Sequence, residues 1–431
     1  MPGLSRRAAL ATLMALAAIQ AALFFYYVRV NLVLQPYWDM YSHVTRYLQF
    51  RGDGRWWAYL WDPHVQHRHL WMRLLTALDI EALGGTGYPF VIAAVACLLI
   101  TAWLAWREIV RGAPSDASVA VGCLAVMLVL TSVAAVDSAT PINAIYPQVV
   151  VFSVLALVLF TAPDSGGPES TQPPWRRTAG IAAAIAAVFA NTVALALWPI
   201  LAWIAWQERS RRWLTTVVVS GVVFSTVYAM GLPMADSTRP ASGDLLARAD
   251  YLVAYVGLPW TRAAALAIPG RIAGILLLVV AGWALLRHAL RQGLARRQRI
   301  AIGLILFSLA SASLAAIGRA GIQEDVVVPV RYTVLLAPLH IGLLMLLLPQ
   351  VAPFDSRVKI AAVGVAGLLL LQQVAVGEAA RTQTRTLRAT LQRFAAGEED
   401  AGMKTVVFDN LDQARQQLNA IQSAGLYLNA R

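Results

Sequence analysis

Pro36-Tyr-Trp-Asp-Met-Tyr-Ser-His43, followed by Trp56-Trp57 and by Trp61-Asp-Pro-His-Val-Gln-His-Arg-His-Leu-Trp71, lies in the longest polar interruption near the N-terminus, Leu34 to Gly87. What flanks that interruption decides the fold. Met1 to Val33 carries Arg6 and Arg7 and then an apolar segment of about the length needed to cross the hydrocarbon core. From Tyr88 the apolar runs resume. The stretch is therefore read as the first loop of a multi-span membrane protein. Asp39 within it is a carboxylate among aromatics where bilayer gives way to water, a placement that costs free energy unless the acid is paired or used.

Composition agrees with that class. Hydrophobic residues make up 58% of the 431 positions, charged residues only 13%, and there are 14 tryptophans, which is too apolar for a soluble chain of this length. Cys97 and Cys123 sit in separate apolar runs, so no disulfide framework can be read. The net charge of +12 comes from arginines clustered at the ends of apolar runs. It reads as a topology signal and as headgroup contact with the lipid bilayer, with no nucleic-acid partner.

Further spans are expected at Tyr88 to Trp106, Val119 to Val136, Tyr146 to Ala162, Val217 to Gly231, Ile272 to Leu286, Ile300 to Ile317, Thr333 to Leu348 and Ile360 to Val376. Ala179 to Trp206 can be one crossing, or two short helices turning near Asn191-Thr192. The second choice keeps Arg209, Arg211 and Arg212 on the same side as the other arginine clusters, so the hairpin is preferred. Short helices of this kind need protein around the polar turn. The result is an all-α bundle of about eleven spans. Arg6 and Arg7 place the N-terminus in the cytoplasm, the first span stays uncleaved, and the tail lies outside, as in a bacterial inner-membrane protein. Residues 1–376 form the membrane module, with 34–87 as its first outer loop. Residues 377–431 form a small outer appendage, with a helical face of Leu387, Leu391 and Phe394, a short strand at Thr405 to Phe408, and a helix capped by Asp409 or Asn410.

Inside the first loop, His43, Arg46, Tyr47 and Phe50 share one helical face, and Trp71, Leu74, Leu75, Leu78 and Ala82 form an apolar stripe. These helices are expected in the membrane interface, where Trp56, Trp57, Trp61 and Trp71 read as anchors rather than as sugar-stacking platforms. His64-Val-Gln-His67-Arg-His69 leaves a divalent metal open. Its spacing lacks a cysteine or a fixed acid, and hydrogen bonding to phosphate or sugar hydroxyls is preferred, with Arg68 suited to bidentate phosphate pairing. Asp39 has the alternative reading of an ordinary helix-end acid, and Arg331 that of a snorkelling anchor. Asn143, Asn191 and Gln148 read as partners between helices.

A first span followed by Trp38-Asp39, then His67-Arg68 and an amphipathic helix, resembles the GT-C type of polytopic membrane glycosyltransferase. Similar in layout are Tyr251 to Pro259, the Gly318-Arg319-Ala-Gly321 turn with Val330-Arg331-Tyr332-Thr333, and the tail ending Ala424-Gly425-Leu426. The resemblance implies transfer of a sugar from a polyprenyl-phosphate donor to a glycan, lipid or protein acceptor, with Asp39 as the catalytic acid. A second acid is implied too, for which Asp53, Asp62 and Asp137 compete. Gln66 stands where relatives often have Glu before His-Arg. Glycosyl transfer asks for a carboxylate to take the acceptor's proton and a cation to steady the leaving phosphate. Asp39 suits the first task. Arg331, Arg319 and Arg68 are candidates for the second, and Trp38, His43, His67, His69 and Tyr332 for contacts to substrate. A transporter or flippase of lipid-linked sugars is expected to show repeated halves and broken mid-membrane helices, and no repeat is found. An O-antigen ligase or polymerase would carry its large loop late in the chain.

Overall fold

The computed structural model describes residues 5–64, 67–111, 115–164, 173–233, 245–260, 267–319, 330–347, 354–408 and 410–427. Among them every regular element is helical. In order these are α1 (Arg6–Val30), α2 (Asp39–Gly52), α3 (Trp56–Trp61), α4 (Leu70–Leu83), α5 (Tyr88–Val110), α6 (Asp116–Val129), α7 (Ser132–Ser138), α8 (Ile145–Phe160), α9 (Pro174–Ala190), α10 (Leu197–Gln207), α11 (Arg211–Ala229), α12 (Leu245–Gly257), α13 (Ala267–His288), α14 (Arg296–Arg319), α15 (Ala337–Leu347), α16 (Ser356–Ala395) and α17 (Leu411–Ser423). Eight segments are long and apolar enough to cross a membrane, nine if the bent pair α6–α7 is one crossing. The protein is a multi-pass helical membrane protein.

Helix ends follow from local chemistry. Ser5 caps α1 by accepting from the Ala8 amide at 3.2 Å, and Asp355 caps α16 by accepting from the amides of Arg357 and Val358 at 2.9 Å. Pro89 stands in the first turn of α5, where its missing N–H costs nothing. Gly84 ends α4 in the left-handed conformation.

The bundle has two chemically different ends. One, here the loop end, carries α2, α3 and α4. The other, the basic end, gathers the end of α5, the start of α9, the end of α10 and the start of α14, tied by Glu108–Arg296 and Glu208–Arg177 pairs. Arg177 near the start of α9 meets Glu208 just past α10 at 2.6 Å, so the chain between them goes up and comes back. The hairpin expected around Asn191 is present, and its turn touches the first loop through Thr192 and His67.

The stretch expected as one helix from Val119 to Val136 is bent by 41° between α6 and α7. No Pro or Gly marks the break. Its freed backbone groups are taken up by two buried glutamines from neighbouring helices. Gln20 of α1 donates to the Leu130 carbonyl at 2.7 Å. Gln373 of α16 accepts from the Ser132 amide at 2.6 Å, and its own carbonyl accepts from the Ser132 hydroxyl at 2.7 Å. A broken helix is tolerated in hydrocarbon when protein satisfies the released groups in this way.

Helix α16 runs for 40 residues without a stop at position 376. Gly377 lies in its middle because the Tyr27 ring of α1 packs there, and a Cβ would come within 2.1 Å of that ring. Beyond it, Arg388 donates to the carbonyls of Val30 and Leu32. The expected strand at Thr405 to Phe408 is absent; a 3-10 turn ends at Thr405 and one backbone bond joins the Trp38 amide to the Val407 carbonyl at 3.0 Å. A lone edge without a second ladder bond gives a strand no support. Asn410 caps α17 through the Gln413 amide at 3.0 Å. Asp409, Gln66 and Gly321 lie outside the described residues.

Candidate functional site

Helix α2 begins at Asp39, and on a 3.6-residue helix positions 39 and 43 share a face. The residue before it, Trp38, is held at φ 48° and ψ −136°, a conformation that a bulky side chain adopts at a cost of order 1–3 kcal/mol. The Val407 bond and the ring of Phe408, centred 5.9 Å from that of Trp38, hold it there. The strain sits directly beside the acid. The Asp39 side chain is 53% exposed, with its Oδ1 3.7 Å from Nε2 of His64. Burial alone would push its carboxyl up, but His64, His43 and Arg331 outweigh that and hold it below the usual carboxylate range.

Next to Asp39 three imidazoles converge. His43 comes from α2, His64 from the turn after α3, and His69 is the residue preceding α4. Reciprocal backbone bonds of 2.7 and 2.9 Å between His64 and His67 fix the turn. The rings of His43 and His64 stack at 4.6 Å and those of His67 and His69 at 5.2 Å. One nitrogen from each of His43, His64 and His69 falls within 4.8 Å of the others. His43 is 2% exposed, His69 6% and His64 8%. Burial drives the pKa values of His43 and His69 well below the ordinary imidazole value.

Arg331 approaches from the other side of the chain, at the start of the segment that leads into α15, with its guanidinium 5.7 Å from the centre of the Tyr332 ring. Tyr332 packs edge-on to Tyr146 at 5.5 Å and stacks with Tyr255 at 5.6 Å. Tyr37, whose phenol burial pushes up to about 12, bonds Thr140 and lies in the field of both Arg331 and Asp137. Thus Asp39, Arg331, Tyr332 and the buried Asp137 belong to one neighbourhood, assembled from the first loop, the end of α7 and the start of the α15 segment.

Other expected residues stand elsewhere. Arg68 is almost fully buried, and its guanidinium donates to the carbonyls of Tyr228, Trp61 and Met230 while its amide donates to the Tyr228 hydroxyl at 2.8 Å. It ties the first loop to the end of α11, and its Nε and both Nη atoms are engaged with protein. Asp62 pairs with Arg46 and, at 3.3 Å, with Arg73. Asp53 is exposed and pairs with Arg55 at 2.6 Å. His67 faces Thr192 at the hairpin turn. Arg319 ends α14, and its side chain falls outside the description. Sequence reasoning did not single out Tyr37, Tyr146 or Thr192; each is an ordinary residue near a span end until the fold brings it here.

The tail closes over the same loop. The Tyr427 hydroxyl donates to buried Asp79 at 2.8 Å, and Asp79 also accepts from the amides of Thr86 and Gly87. Between loop and tail opens a cleft of about 430 Å³ lined by Pro36, Tyr41, Leu391, Leu418 and Tyr427. No protein-family model, no curated protein and no solved structure matches the chain.

Proposed function

We propose that the protein is an integral membrane glycosyltransferase of GT-C type, moving a sugar from a polyprenyl-phosphate donor to an envelope glycan, lipid or protein acceptor. The observation that carries this reading is that Asp39 and Arg331, distant in sequence, lie within each other's electrostatic field at the loop end. The base and the guanidinium, from opposite parts of the chain, act together in this reading at the mouth of an apolar segment where a prenyl tail would present its phosphate. In this reading the bent pair α6–α7 and both arms of the α9–α10 hairpin cross the bilayer beside the eight long segments, giving eleven crossings. The arginine-rich end is cytoplasmic, and the loop end and the tail face outward, as in a bacterial inner membrane.

The chemistry assigns each group one task. The acceptor oxygen attacks the anomeric carbon, the bond from that carbon to the phosphate oxygen breaks with its electron pair going to the phosphate, and Asp39 takes the acceptor's proton. Arg331 pairs with the phosphate oxygens, an interaction that strengthens as negative charge grows on the leaving group. Trp38 aims the carboxylate. We assign the cleft between loop and tail, whose lining includes Pro36 and Tyr41 of the first loop, to the acceptor.

The test is turnover of polyprenyl-phosphate sugars by the purified full chain in lipid nanodiscs, with the sugar first identified by mass spectrometry of envelope glycans from cells with and without the gene. Asp39→Asn is expected to lower turnover by about 10²–10⁴-fold with melting unchanged. Arg331→Lys should keep part of the activity and Arg331→Ala almost none, because the ammonium lacks the planar two-point geometry. Unaltered envelope glycans, or an Asp39→Asn protein that turns over like the parent, would refute the assignment.

A further inference from the structure

Among the described residues, His43, His64 and His69 are the group whose ligand atoms could meet at one metal ion. Three facts set them apart from a packed aromatic cluster. Buried polar nitrogens are almost always hydrogen-bonded, since leaving one unpaired costs roughly 1–3 kcal/mol. Here Nε2 of His43 and both ring nitrogens of His69 are buried without a hydrogen-bond partner. The three rings also come from separate stretches of chain whose backbones are fixed independently, by α2, by the His64–His67 turn and by the first turn of α4, where the Arg73 amide bonds the His69 carbonyl at 3.1 Å. Finally, a carboxylate faces the group, with Asp39 Oδ1 3.7 Å from Nε2 of His64.

We propose that His43, His64 and His69 bind a divalent transition-metal ion of the zinc class, with Asp39 at the open side of the coordination sphere. Three imidazoles and one facing oxygen are the donor set of borderline ions; magnesium and calcium prefer oxygen ligands. At Zn–N distances of about 2.0–2.1 Å, tetrahedral nitrogens lie roughly 3.3 Å apart. The observed separations of up to 4.8 Å are wider than that, and because an imidazole's lone pair lies in its ring plane, the stacked rings of His43 and His64 turn about their side-chain torsions when an ion draws the nitrogens together. Arg73 and Arg46 share the one carboxylate of Asp62, and Arg73 works against positive charge at His43 and His69, so the carboxylate of Asp39 is the group that offsets the charge of a bound ion. Three imidazole ligands, with Asp39 beside the fourth position and not filling it, give the arrangement of a working site rather than a closed structural one. Its use on the donor phosphate rests on the glycosyl-transfer reading; the binding of the ion does not.

The experiment is therefore a binding measurement on the full-length chain, purified with a tag free of histidine. After chelation and dialysis the protein is given zinc, and metal content is measured by mass spectrometry; in parallel it is given cobalt and its visible spectrum recorded. The wild type should retain equimolar zinc, resist exchange by magnesium in excess, and show the intense ligand-field bands of four-coordinate cobalt with nitrogen ligands. His43→Leu and His69→Leu should each lose the metal and the bands while the protein still elutes as a monodisperse species. His67→Ala, which changes a neighbouring imidazole turned toward Thr192, should retain both. A wild type that holds no zinc after dialysis overturns the proposal, as does retention of zinc by the His43→Leu/His69→Leu double variant. Should the leucine variants fail to fold, His43→Asn and His69→Asn decide by the same two measurements. Metal bound in a protein that transfers no sugar would sink the proposed reaction and leave the site standing.

Discussion

Both ends of this bundle bury ionisable side chains, and the acids and arginines of one end are handled differently from the imidazoles of the other. At the basic end Glu108 meets Arg296 and Arg111, and Glu208 meets Arg177 and Arg299. The guanidinium of Arg296 donates to the carbonyls of Val158 and Thr161, and that of Arg299 to Ala162. Those carbonyls are the open C-terminal end of α8, whose partial negative charge favours cations. Each acid there has its guanidinium, and each guanidinium has a carbonyl or carboxylate. At the loop end three imidazoles crowd together with nitrogens left over. The difference separates a charge network that holds helices from a cluster shaped for something that comes from outside.

The contrast can be broken most severely at the basic end. Arg296→Ala leaves Glu108 buried with only Arg111 at 3.4 Å and uncaps α8. Removing one partner of a buried pair costs about 3–5 kcal/mol, and we expect a large drop in the melting temperature of the detergent-solubilised protein. Melting within a degree or so of wild type, on the scale where 1 kcal/mol moves the midpoint of a large domain by about 2–4 °C, would show the network to be dispensable. A smaller effect is expected where the tail meets the loop. Tyr427→Phe removes one donor from Asp79, which keeps Thr86 and Gly87, so the loss should be about 1 kcal/mol, visible as faster proteolysis after α16. Protection equal to the wild type's would mean that the tail is held by packing alone.

The smallest change is the sharpest. His69→Leu, measured on metal-free protein, removes two unpartnered buried nitrogens and fills similar space, so melting should stay within about 0.5 kcal/mol of wild type or rise, as when an unsatisfied polar group becomes apolar. A loss as large as that of Arg296→Ala would mean that the imidazoles are structural, and the contrast between the two ends would collapse.

Much of the fold can be read directly from residue order, because apolar runs and arginine clusters are local signals. The Asn191 hairpin is legible for that reason: Arg209, Arg211 and Arg212 demand a return to the basic end. The bend after α6 is not, since Leu130-Thr131 carries no helix breaker and the compensating Gln20 and Gln373 lie 110 and 241 positions away from the groups they satisfy. The site shows the same divide. Asp39 and the His64–His69 run stand out as local polar residues in an apolar chain, while the grouping of His43 with His64 and His69 needs α2 packed on the turn. Arg68 is misleading for the converse reason. A His-Arg pair in an outer loop suggests phosphate, whereas its partners at Tyr228 and Met230 are 160 and 162 positions distant.

One consequence concerns the 40-residue helix α16. At 1.5 Å per residue it spans about 60 Å, twice the hydrocarbon thickness of roughly 30 Å, so one unbroken shaft joins the membrane core to the tail. Such a shaft sets phase as well as height. Adding a single residue between the Tyr27 contact at Gly377 and the Arg388 clamp on α1 turns everything beyond by about 100° and carries Tyr427 away from Asp79. An insertion of seven residues, close to two full turns, nearly restores the azimuth while lifting the tail by about 10 Å. The position of the lid over the cleft is thus written in the helical repeat, and insertions of graded length would tell whether access depends on its angle or on its height.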